Sequence, residues 1–189
     1  AVAATLGLAL APVTRAARTP AFGPGVVEQR DGRVAVTALA PFGQLWPELL
    51  RALAAIADDV RLSTRRTVTL VDLEPDAVDA TRAALAAAQL VLDGDSGWVG
   101  LTACAGIDGC RRALGDVRAI AAERAGRRAA GDPPEHWAAC ERRCGEVPGT
   151  AVAVAMRGGG DVEVRSDTGT WHVRSLERAA KHLLAEGTR

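Results

Sequence analysis

The sequence predicts an α+β fold, and three observations carry that expectation. Two Val/Thr-rich segments alternate with apolar residues at helical spacing, and a tight-turn dipeptide, Asp31-Gly32, sits between two strand-like runs. A second set of strands and helices follows, with four cysteines inside 41 residues, Cys104 to Cys144. At 189 residues the chain holds one large domain or two small lobes.

Taken in order, Ala1 to Pro24 reads as a short helix followed by a Pro/Gly-rich connector, Thr19 to Gly25. Val26-Val27 and the alternating run Arg33 to Leu39 flank Asp31-Gly32 as a hairpin, which Pro41-Phe42-Gly43 ends. Leu45, Leu49, Leu53 and Ile56 recur at spacings of three and four and predict a helix with one buried stripe, closed by Asp58-Asp59. Arg66 to Leu73 is strand-like. Pro75 opens a second helix through Leu85 to Leu90, with acidic residues in its first turn. Asp93 to Gly97 is a loop and Trp98 to Thr102 a short strand.

The second half opens on a helix expected over Cys110 to Arg128, broken by Gly131-Asp132-Pro133-Pro134. Thr150 to Met156 is a buried strand, Gly158-Gly159-Gly160 a turn, Asp161 to Arg165 the return, and Asp167 to Gly169 a turn into Trp171-His172-Val173. A last helix has Ser175 as N-cap, with Leu176, Ala180, Leu183 and Leu184 facing inward. No internal repeat is visible.

Composition excludes some functions. Lys+Arg and Asp+Glu both number 23, so the net charge is zero, which argues against a general nucleic-acid binder. The richness in Ala and Arg over Lys (Lys181 is the single lysine) is explained most simply by GC-rich coding. No apolar run reaches the roughly 18 residues of a membrane span. The apolar opening, Ala1 to Pro12, lacks a starting Met and a basic leader, so it reads as the point where the chain enters from a longer protein, and a cytoplasmic location is expected.

The chemistry-bearing residues are Cys104, Cys110, Cys140 and Cys144, spaced C-x5-C, a 29-residue gap, then C-x3-C. Three uses compete. Disulfides find no support in a secretory signal, and a domain of this size needs no staples. Structural zinc usually holds each Cys pair two to four residues apart, tighter than C-x5-C. Four thiolates around a 4Fe-4S cluster suit the wide first loop. Asp93, Asp95 and Ser96 lack the Gly and terminal Glu of a calcium loop. The Gly158–Gly160 run lacks the helix start of a phosphate loop. His136, His172 and His182 read as structural or surface residues, and Trp98, Trp137 and Trp171 as core.

The cysteine spacing, with Thr102-Ala103-Cys104 before it and Cys144-Gly145 at its end, resembles the cluster motif of nitrite and sulfite reductases. Gly106, Gly109-Cys110 and the helix motif Asp116-Val117-Arg118 are closest to one branch, the precorrin-3B synthases of cobalamin biosynthesis. Asp31-Gly32-Arg33 to Gly43, and Val60 to Arg66, resemble the ferredoxin-like lobe of that family. Ala138-Ala139 before Cys140 departs from the usual Ser-Gly, and Glu141-Arg142-Arg143 departs from the Pro or Lys that commonly follows.

The resemblance implies a ferredoxin-like half-domain over residues 26–98, after a connector over 1–25. An iron–sulfur cluster-binding α/β lobe of the nitrite/sulfite reductase type would span 99–189. It implies that Cys104, Cys110, Cys140 and Cys144 hold a 4Fe-4S cluster, with sirohaem or a mononuclear iron as second centre. Arg61, Arg65 and Arg66 would grip the carboxylates of a tetrapyrrole, for which the planar guanidinium fork is suited; otherwise they are solvated loop charges. Arg111, Arg112, Arg142 and Arg143 flank the cysteines, where positive charge would stabilise a reduced cluster. The implied enzyme is an oxidoreductase, a monooxygenase acting on precorrin-3A with dioxygen, or else a sirohaem-dependent sulfite or nitrite reductase. A non-catalytic iron–sulfur or zinc module is the further alternative. The implied partners are a precorrin substrate and an electron donor such as ferredoxin or a flavoprotein, with neither nucleic acid nor membrane.

Overall fold

A computed structural model describes residues 23–129 and 131–186. The helix expected within Ala1–Pro24, and most of the connector after it, lie outside the described residues. Two sheets, each with its own apolar core, account for the architecture.

The first sheet has the order β1-β2-β4-β3 and is antiparallel throughout. Strands β1 (Gly25–Glu28) and β2 (Val34–Leu39) form the hairpin expected around Asp31-Gly32. Helix α1 (Pro47–Ile56) follows, buried through Leu49 and Leu53. Strand β3 (Val60–Leu62), not anticipated as a strand, pairs on the sheet edge with β4 (Thr67–Leu73). Its exposed, short Val-Arg-Leu sequence gives little period-two signal, which is why it reads as loop. The helix expected from Pro75 begins as a 3-10 turn and continues as α2 (Val78–Ala87), buried through Thr81 and Leu85. Both helices share one core with Val36, Ala38, Val68 and Leu70. Each fully buried Leu or Val there stabilises the fold by about 1.5–3 kcal/mol.

The second sheet runs in chain order, β5 (Leu101–Ala103), β6 (Glu135–Ala138), β7 (Val152–Met156), β8 (Val162–Ser166) and β9 (Gly169–Val173). The pairs β5/β6 and β6/β7 are parallel; β7/β8 and β8/β9 are antiparallel hairpins. Helix α3 (Val117–Ala125) makes the crossover between β5 and β6. It is far shorter than the helix expected over Cys110 to Arg128. The Asp116 side chain accepts from the Ala119 amide (3.0 Å) and caps α3 at residue 117, while the Leu114 amide is already spent on the Ala139 carbonyl (2.9 Å). Trp98 sits in a turn before β5 rather than within it. Helix α4 (Leu176–Glu186) closes the core with Leu176, Ala179 and Leu183, and Ser175 caps it by accepting from the Arg178 amide (3.3 Å). Trp137 is fully buried; Trp98 and Trp171 are partly so.

A buried ion cluster fixes the start of β6. Glu135 (2% exposed) meets Arg124 at 3.2 Å and Arg128 at 3.8 Å, and accepts from the Trp137 indole at 2.5 Å. Arg128 also donates to the carbonyls of Gly97, Asp132 and Pro133. Gly97 is required there, since a Cβ on it would lie 2.1 Å from the Ala125 carbonyl oxygen.

Candidate functional site

In sheets with parallel strands, ligand sites form beyond the carboxyl ends of the strands. Two such ends carry the cysteines. Cys104 follows β5 directly, and Cys140 lies two residues past β6. The Cys104 amide continues the ladder by donating to the Trp137 carbonyl (2.9 Å).

The loops meet at Ala139. Its amide donates to the Cys104 sulfur (3.2 Å), and its carbonyl accepts from the Leu114 amide, which ends the turn begun at Cys110. The sequence departure noted at this position thus falls where both cysteine loops touch, and the Ala139 methyl is accommodated in the core at 1% exposure. Arg118 of α3 donates to the Cys104 carbonyl (2.9 Å) and reaches over the Phe42 ring, which stands edge-on to Trp98. The Asp-x-Arg motif therefore has two jobs: Asp116 caps the helix and Arg118 ties it to the first cysteine loop.

The second loop consists of two linked turns. The Arg143 amide donates to the Cys140 carbonyl (3.2 Å) and the Glu146 amide to the Arg143 carbonyl (3.1 Å). Arg143 at their junction has φ +50° and Gly145 φ +90°. The left-handed region costs an ordinary L-residue about 1–2 kcal/mol, and Gly nothing comparable. Arg143 is held by salt bridges to Glu146 and to Glu163 of β8, while Arg157 and Arg165 take the other oxygens of these carboxylates.

Cys104, Cys110 and Cys140 are half-buried, Cys144 is exposed, and all four are free thiols, so no disulfide joins them. Among the described residues, no group of three or more His, Cys, Asp or Glu side chains is close enough to hold a metal ion. The structure brings the two loops into contact through Ala139 without converging their four sulfurs. The donor set nonetheless fits an iron–sulfur cluster in kind: four thiols, no competing disulfide, on two loops bonded to one another.

Beneath the second loop lies His136, 1% exposed. The Thr102 hydroxyl donates its one hydrogen to the Glu135 carbonyl (3.1 Å), so its oxygen accepts from His136 Nδ1 (2.7 Å). Nε2 is buried without a well-formed hydrogen bond, and the Cys144 backbone is the polar group that faces the ring. Burial pushes the imidazole pKa down to about 4, helped by the Arg66 and Arg143 charges and opposed by Glu146 and the Cys144 backbone.

The three arginines expected at a tetrapyrrole separate. Arg61 lies on β3, exposed, and paired with Asp59 at 3.0 Å, which raises its pKa. Arg65 is exposed in the β3–β4 turn. Arg66, at φ +65° in the same turn, is half-buried; burial lowers its pKa, and its stem fills the space that Gly43 leaves open. Among the described residues no carboxylate pairs with it. Arg112 and Arg142 border a hollow beside Cys140, while Arg143 is occupied by its two carboxylates. The carboxylates Glu146 and Glu163 went unnoticed in the sequence, although the alternation Val162-Glu163-Val164-Arg165 marks Glu163 as facing away from the core.

Residues 27–88 match the nitrite/sulfite reductase ferredoxin-like half domain family. Among solved structures, the chain is similar to the Mycobacterium tuberculosis NirA protein, with a TM-score of 0.67 and 17% identity over 88% of this chain and 37% of that one. It is also similar to dissimilatory sulfite reductase I (DsrI), with a TM-score of 0.50 and 15% identity over 72% of this chain and 38% of that one. No curated protein matches the sequence. The fold is therefore α+β, with a ferredoxin-like half domain over residues 27–88 and an overall fold similar to that of these two structures. The chain spans less than two fifths of the length of either structure. Among the described residues no helix is long and apolar enough to cross a membrane.

Proposed function

We propose that this chain is the cluster-bearing part of an iron–sulfur oxidoreductase, with Cys104, Cys110, Cys140 and Cys144 as ligands of a 4Fe-4S cluster. The observation that carries the proposal is the meeting of both cysteine loops at Ala139, beyond the ends of two adjacent parallel strands. The cluster supplies one-electron transfer when bound. The chain's own residues hold its loops: Arg118 secures the Cys104 carbonyl, and the backbone of Ala139 links the two pairs.

The finer reading is a precorrin-3B synthase, oxidising precorrin-3A with dioxygen, by hydroxylation and lactone formation. It rests on the Gly-Cys and Asp-x-Arg motifs and on the near absence of lysine. Arg66, desolvated and lacking a carboxylate partner among the described residues, is the arginine best suited to a tetrapyrrole carboxylate; Arg61 and Arg65 would lie further out. No residues are assigned to a second iron centre. A sirohaem-dependent sulfite or nitrite reductase is the second reading, favoured by the family match over residues 27–88. Under either reading the division into residues 26–98 and 99–189, the cytoplasmic location, and a ferredoxin or flavoprotein donor belong to the proposal.

The test is to load the chain with iron and sulfide anaerobically and titrate it with sirohaem or with precorrin-3A plus dioxygen and a reductant. Oxygen incorporation into precorrin-3A supports the first reading. Tight sirohaem binding with no precorrin turnover replaces it with the second.

A further inference from the structure

The cysteine loop between β6 and β7 is fixed by charges that belong to another part of the sheet. Strand β8 lies between β7 and β9, with Glu163 opposite Ala155 on one side and His172 on the other. Val162 and Val164, its neighbours, are fully buried in the core, so Glu163 and Arg165 project from the opposite face. There Glu163 takes Arg143 and Arg157, and Glu146 takes Arg143 and Arg165. Arg143 and both carboxylates are each less than a fifth exposed, so the chain of charges is partly withdrawn from water. Arg143 is also the residue in the left-handed conformation between Cys140 and Cys144. The side chain that anchors the loop and the backbone that bends it are the same residue.

We propose that Glu163, with Glu146, is a positioning residue for the Cys140–Cys144 loop: its ion pair with Arg143 holds the left-handed turn that sets the two cysteines relative to the strand ends. The function of this device rests on the reading of Cys140 and Cys144 as cluster ligands; the device itself does not. Arg143 in this arrangement is a structural tether, held by two carboxylates that it shares with Arg157 and Arg165.

The experiment uses the full chain carrying Glu163→Gln, Glu163→Asp or Glu146→Gln. In the metal-free, reduced protein the rate of alkylation is measured at each cysteine by peptide mass, with Cys104 and Cys110 as internal controls. E163Q is expected to speed alkylation of Cys140 about fivefold, as fits loss of the Glu163–Arg143 ion pair, and to leave Cys104 and Cys110 within twofold. E163D, which keeps the charge, stays near the parent, and E146Q falls between. In protein loaded with iron and sulfide, E163Q also changes the EPR line shape of the reduced cluster. Equal acceleration at all four cysteines, or none at Cys140, overturns the proposal. Failure of the parent chain to take up iron and sulfide would sink the cluster reading, and the alkylation pattern would still decide the tether.

Discussion

Replacing Glu135 by Gln removes one negative charge from a site where two arginines depend on it. Glu135 is 2% exposed, the Arg128 side chain 0% and the Arg124 side chain 8%. Gln still offers an oxygen to the Trp137 indole and keeps the packing volume, so cavity formation contributes little. Arg128 retains the carbonyls of Gly97, Asp132 and Pro133. Among the described residues Arg124 has Glu135 as its one side-chain partner, at 3.2 Å, and is left as an uncompensated buried charge. Breaking a buried pair in this way costs about 3–5 kcal/mol, and the retained carbonyls place Glu135→Gln near the lower end. For a chain of this size that corresponds to a drop in Tm of about 6–12 °C. Thermal unfolding followed by near-ultraviolet circular dichroism reads the change, since Trp137 is itself bonded to Glu135. Adding Arg124→Leu should recover a good part of the loss, because the stranded charge goes with it. A Tm within 2 °C of the parent, on a scale of about 2–4 °C per kcal/mol, would mean that Arg124 does not depend on the Glu135 charge.

Other outcomes follow from the site. The folded His136 imidazole titrates at about 4 against about 6.5 when unfolded, so between these values the unfolded chain binds a proton that the folded chain does not. Stability should therefore fall as pH drops from 6.5 towards 4, by up to about 3 kcal/mol, and urea midpoints of the metal-free chain at pH 7 and 4.5 should differ more than those of His136→Asn; equal differences would contradict it. Arg66→Ala should weaken binding of a polycarboxylate tetrapyrrole to the cluster-loaded chain about tenfold, whereas Arg61→Ala, which removes an exposed charge already paired with Asp59, should change it less than about twofold. Equal effects in a spectral titration would remove Arg66 from its proposed place.

The fold was readable where one face of an element is buried. The period of Leu45, Leu49, Leu53 and Ile56 marks α1, and the alternation from Arg33 to Leu39 marks β2. Reading failed where a side chain or a distant strand decides the local structure. Nothing in the periodicity from Cys110 to Arg128 reveals that Asp116 starts the helix, or that Leu114 has already given its amide to Ala139. Strand β6 is buried on both faces, His136 and Trp137 alike, so it shows neither alternation nor helical period. The cysteines declare themselves by spacing, but the groups that hold their loops do not. Glu163 and Arg143 are 20 residues apart and meet only because β8 folds back beside β7. The three arginines around β3 looked equivalent as a cluster; the turn at Arg66 and the pairing of Arg61 with Asp59 make them different.

The proposed function requires four thiolates of this chain to hold one iron–sulfur cluster. The most direct test is anaerobic purification of the full chain, with iron, acid-labile sulfide and zinc assays and an absorption spectrum, beside the same measurement on Cys140→Ser. About four irons and four sulfides per chain are expected, with a broad visible absorption that bleaches on reduction and loss of both metal content and thermal stability in the variant. Roughly one zinc without sulfide, or a variant with unchanged iron and unchanged Tm, would contradict it.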